Sequence, residues 1–137
     1  KPMPLDPNPP AEGPPPPPAR ELSAHELQEH DRCLAAVAAA YKALDDRFDA
    51  LYAQATTDAE RERLRALLGA ARDAYWRAAA ARLGASNPIV RELYDDLTRA
   101  TQELKELLAN LQRVGAILEL ATQTVRLAAS LVTLAAL

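Results

Sequence analysis

The densest run of chemistry-bearing side chains is His25, Glu26, Glu29, His30, Asp31 and Cys33. On a helix, Glu26, His30 and Cys33 stand at i, i+4 and i+7 and share one face. Carboxylate, imidazole and thiolate all ligate zinc, so a three-ligand site is chemically conceivable there. A fourth ligand would have to come from another helix, and the chain holds only two histidines and one cysteine. The expectation is therefore no metal. His30 fills a seam position near one end of a bundle, and its neighbours form a solvated first turn.

Two acidic patches follow, Asp45, Asp46 and Asp49 in one and Asp95 and Asp96 in the other. Between them lies a net basic segment with Arg61, Arg63, Arg65, Arg72, Arg77 and Arg82. A carboxylate pair for acid–base work needs a cleft and a substrate pocket, and nothing in the spacing implies one. No serine or cysteine has a base at motif spacing, and the four glycines are isolated, so no phosphate-binding loop is formed. The expectation is a non-enzymatic chain with no catalytic residue and no cofactor. The opposite charges are expected to pair between helices and fix their register. Sixteen basic and nineteen acidic residues are interspersed for a net charge of −3. With no basic field and no stacking platform, nucleic acid is not an expected partner.

The elements that would position these groups are helices. Hydrophobic residues make up 49% of the chain, mostly alanine and leucine, with few aromatics. Ala, Leu, Glu, Arg and Gln are strong helix formers, which predicts an all-α protein. The Ala/Leu/Arg usage resembles that of proteins from GC-rich bacteria. Residues 1–21 hold nearly all of the prolines, including Pro14 to Pro18. Such a segment cannot form helix or ladder and is expected to be a polyproline or disordered leader. Pro15, Pro18 and Arg20 fit a P-x-x-P-x-R docking pattern, which arises easily in any proline run. No apolar signal core is visible, and with a single cysteine this favours a cytoplasmic location. The sequence starts at Lys1 rather than Met and ends on the apolar run Leu131 to Leu137, as a piece of a longer protein would.

Residues 22–137 read as one helical domain. Ser23 and Glu26 form a capping box, flanked by Leu22 and Leu27 at the staple positions, and open a helix over about 24–55. Thr57 and Glu60 form a second box for a helix over about 58–83, with Gly84 as its C′ residue. Its seam is Leu64, Leu67, Ala71, Ala74, Ala78 and Ala81, and the alanines predict close approach to a neighbour. Asn87 caps a third helix with Pro88 at N1. An apolar residue then recurs every three or four positions from Val90 through Leu104, Leu118 and Val125 to Ala135. That spacing predicts one helix over 88–137. Short connections predict that the three helices are antiparallel neighbours.

The third helix would overhang the second, and its surplus, 114–137, carries a second apolar stripe: Ile117, Leu120, Leu127, Leu131 and Leu134. Such a face cannot stay in water. The favoured reading is an antiparallel three-helix bundle or coiled coil with a long third helix. The chain would then be an interaction module that pairs through Leu118, Val125, Leu127, Leu131 and Leu134 with itself or with another helical protein. The alternative fold breaks near Gly115 and closes a four-helix up-down bundle. A third possibility is membrane association through 114–137, although Glu119 and Arg126 near its middle disfavour spanning. Trp76 lies off the second seam and is either core beside Leu83 or an anchor for a partner.

Overall fold

The computed structural model describes residues 23–137. The Pro-rich leader with its docking pattern, and Leu22 of the staple, lie outside the described residues. The described chain is all-helical: α1 (Ala24–Gln54), α2 (Asp58–Ala80), α3 (Pro88–Ala109) and α4 (Val114–Ala135).

The first three starts are capped by the side chains that the sequence marks. Ser23 Oγ accepts from the Glu26 amide at 3.1 Å, and Thr57 Oγ1 accepts from the Glu60 amide at 3.1 Å. Asn87 Oδ1 accepts from the Ile89 amide at 2.9 Å. In return, the Glu60 carboxylate accepts from the Thr56 amide and from both threonine hydroxyls. These bonds hold the Glu60 carboxyl below the usual carboxylate range.

The long third helix is divided, as in the alternative four-helix up-down reading, a few residues before Gly115. Helix α3 stops at Ala109, and Asn110 Oδ1 accepts from the Gln112 amide at 3.3 Å in a local turn that reverses the chain. Gly115 is not the breaking residue; it lies inside the first turn of α4 with open space around it. Two features hid the reversal. Arg113, at the N-cap of α4, makes no side-chain capping bond, so no start signal exists. Leu111 and Val114, on either side of the turn, both pack against the core, so the apolar period runs through it unbroken.

The helices alternate in direction, and their core is a single column in two parts. One part joins the C-terminal half of α1, the N-terminal half of α2, the end of α3 and the start of α4, through Leu44, Leu51, Leu64, Leu104, Leu108, Ile117 and Leu118. The other joins the opposite ends, through Cys33, Val37, Ala74, Ala78, Leu83, Val90, Leu97, Leu131 and Val132. Helices α1 and α4 each touch all three others, whereas α2 and α3 do not touch each other. The expectation that the first three helices are mutual neighbours thus fails for one pair: residues 81–87 carry the chain diagonally across the end. That connection is pinned to the C-terminus. The Gly84 amide donates to the Ala135 carbonyl and the Leu137 amide to the Arg82 carbonyl, both at 2.9 Å. These bonds form an isolated bridge between Leu83 and Ala136. Gly84 therefore does not serve as a C′ residue; α2 has already ended at Ala80.

The ion pairs also differ from expectation. Arg61–Asp58, Arg65–Glu62 and Arg77–Asp73 each form within α2 and Arg99–Asp96 within α3, not between helices. Arginines reach across helices to uncharged groups instead: Arg47 to the Leu108 carbonyl, Arg63 to the Thr122 hydroxyl and Arg65 to the Tyr52 hydroxyl. The diagonal placement of α2 and α3 separates the basic helix from Asp95 and Asp96.

Candidate interaction surface

Folding α4 back consumes most of its apolar surface. Leu118, Val125 and Leu131, singled out above for a partner, are 3%, 6% and 0% exposed, so the chain's own core covers them. Ile117, Ala121, Ala128, Val132 and Ala135 are buried beside them. Of the five α4 positions, Leu127 is half-buried and Leu134 is 51% exposed. Trp76 is 64% exposed and tilts against Tyr75, with ring centroids 6.0 Å apart, so it is not core.

What remains outside has its own order. Ala116, Leu120, Gln123, Leu127, Ser130, Leu134 and Leu137 alternate spacings of four and three, and none is buried. The core seam of the same helix is Val114, Leu118, Ala121, Val125, Ala128, Val132 and Ala135. Within α4 the two series are offset by two residues, about 200° of helical rotation, and so lie on opposite faces. Leu137 lies beyond the helix, after the extended Ala136, with its side chain beside Gly84. Leu127 sits at the centre of the outer series. On one side it borders a crevice of about 270 Å³ with Asp96, Arg99 and Glu103 of α3. On the other it borders a crevice of about 450 Å³ with Arg63 of α2 and Glu119 and Arg126 of α4. The ridge and its flanking grooves form the relief that knobs-into-holes packing uses. The sequence reading missed Ala116, Gln123, Ser130 and Leu137. Their signal was the second 4-3 series, masked because the two polar members break its apolar appearance.

The polar cluster of α1 is spent on structure. The Leu83 amide donates to His30 Nδ1 at 3.1 Å, and the Ala85 amide donates to Glu29 Oε2 at 3.2 Å. The other Glu29 oxygen lies 2.8 Å from His25 Nε2. The run therefore holds down the diagonal connection 81–87. Among the described residues, no group of three or more His, Cys, Asp and Glu side chains is placed to hold a metal ion.

Cys33 is fully buried, and burial, aided by the Glu29 charge, pushes its thiol up. Because the folded value is the higher one, the thiol's contribution to stability is complete below the ordinary value of about 8.5 and is lost as pH rises through the folded value. Native protein at neutral pH should react with a thiol reagent at least about tenfold more slowly than unfolded protein, since attack waits on opening. Stopped-flow labelling with and without denaturant measures this; equal rates would contradict the burial.

Compared with protein-family models, with curated proteins and with solved structures, the chain finds no match.

Proposed function

We propose that the chain is a non-enzymatic helical interaction module that assembles with a second copy of itself through the outward face of α4. The supporting observation is the second heptad series, Ala116 to Leu134, none of whose members is buried. Leu120, Leu127 and Leu134 supply the knobs, and Gln123 and Ser130 are the polar positions that set register. The flank carries both signs, with Glu119 and Arg126 exposed one heptad apart beside the ridge. Leu134 and Leu137 extend the apolar surface toward the end where the 81–87 connection lies, while Trp76 stands apart from it against Tyr75, which stacks on Tyr41 of α1.

The reading predicts a mass by light scattering that rises with concentration toward twice that of one chain. Leu127→Glu should weaken association by more than about tenfold, or 1.4 kcal/mol, because it places a charge among the apolar members of the outward series. Its circular dichroism should be unchanged, since Leu127 is only half-buried. A wild-type chain that stays monomeric up to millimolar concentration sinks the proposal.

A second reading rests on α4 alone. It is the one described helix long and apolar enough to cross a membrane. That use requires α4 to leave the core that Ile117, Leu131 and Val132 complete, at the expense of their burial. Co-sedimentation with liposomes separates the two: binding that removal of 116–137 leaves intact excludes it.

A further inference from the structure

A different crevice, on the far side of α1 from α2, opens between α1 and α3. Its volume is about 640 Å³, and its lining is Ala39, Lys42, Ala43, Asp46 and Arg47 of α1 with Lys105, Leu108 and Ala109 of α3. The floor is apolar and made mostly of alanines, whose small side chains leave the space unfilled. The rim carries three cations against one carboxylate, on a chain whose net charge is −3.

The distribution of lysine sharpens the point. The chain uses arginine almost everywhere, and its lysines are Lys1, Lys42 and Lys105 alone. Both that lie among the described residues line this crevice. Neither ammonium makes a hydrogen bond or an ion pair in the structure, although Asp46 stands one turn from Lys42. Arg47 is oriented by its Nε, which donates to the Leu108 carbonyl at 3.1 Å and leaves its terminal nitrogens unused. That bond satisfies one of the open carbonyls at the end of α3. The lysines touch no carbonyl, so helix capping does not account for them.

We propose that this crevice binds a small amphiphilic anion, a phosphate or carboxylate head on a short alkyl body. Lys42 and Lys105 hold the head by charge and Arg47 adds directed donors. The body displaces water from Ala39, Ala43, Leu108 and Ala109. The inference is independent of the pairing face on α4, which lies between α2 and α3 on the other side of the bundle.

Nitrogen–proton correlation spectra of the full chain, titrated with octyl phosphate below its micelle concentration, test it. The expected result is saturable shifts centred on Lys42, Ala43, Arg47, Lys105 and Ala109. The double variant Lys42→Gln, Lys105→Gln should raise Kd at least about tenfold with unchanged circular dichroism. Asp46→Asn, which removes the opposing charge, should tighten binding two- to threefold, on the order expected for one exposed charge. Several results would overturn the proposal. They are shifts that do not saturate or that fall elsewhere, equal affinity in the lysine variant, equal affinity for octyl glucoside or for inorganic phosphate, and binding to phosphatidylglycerol vesicles without binding to monomeric octyl phosphate.

Discussion

Replacing Leu131 by alanine is expected to lower stability by about 2–5 kcal/mol. Leu131 is 0% exposed and packs in the half of the core that holds Val37, Ala74, Ala78, Leu83 and Val90. Truncation there removes buried methyl groups and leaves a cavity that three other helices must close. Leu134, three residues on, is 51% exposed and should cost less than about 1 kcal/mol when truncated in the monomer. Urea denaturation of both variants at low protein concentration measures the difference. The comparison also separates two architectures. In a helix continuous to Leu137, both leucines would project beyond the bundle and neither truncation would destabilise a monomer. Similar small costs at the two positions would therefore contradict the fold-back of α4.

Ala78→Leu is expected to destabilise by about 1–3 kcal/mol, from the opposite cause. Ala71, Ala74 and Ala78 form the inner face of the C-terminal part of α2, at 2%, 0% and 0% exposure. Helix α2 packs on α1 and α4. A leucine at 78 has no volume to enter, so α2 must shift or the side chain must leave its rotamer. Ala79→Leu is the control: the position is exposed and leucine is nearly as good a helix former as alanine. Thermal unfolding should show a clear drop for Ala78→Leu and little change for Ala79→Leu. If Ala78→Leu stabilises the protein, an unfilled cavity exists beside α2 and the close approach is wrong.

The parts of the fold governed by local chemistry were readable. The caps at Ser23, Thr57 and Asn87 are short-range hydrogen bonds between residues two or three apart, and their residue types announce them. The 3-4 seam reports the buried face of α2 well, whereas on α1 the buried face is shifted toward Cys33, Ala40 and Ala43 and Leu27 is left 47% exposed. A reversal near Gly115 was legible only as the second choice to a continuous helix, because the apolar residues around the actual turn at 110–113 join the core and the helix that follows lacks a cap. Periodicity records the side a residue faces, not whether the chain has reversed between two residues. The neighbour relations of the helices were equally hidden, since the length of 81–87 allows an adjacent or a diagonal crossing. For the candidate surface, the apolar count on α4 was read as a surplus over one face, but Ile117 and Leu131 of the supposed second stripe are buried in the core. Its assignment failed because Leu118, Val125 and Leu131 belong to a helix that touches three others and needs a wide inner face. The outward series emerges only once that inner face is subtracted.

The diagonal connection also sets an order for assembly. Helices α1 and α2 are joined by 55–57 and α3 and α4 by 110–113, so each pair is a hairpin whose contacts are close in sequence. The contacts of α1 with α4, and the bridge from Leu83 to Ala136, join residues far apart along the chain. Closing those loops carries an entropy cost that neither hairpin alone can recover. Folding kinetics should accordingly be governed by the docking of two preformed hairpins, with 81–87 as the joint. The amides of Gly84 and Leu137, bonded across that joint, are its latch.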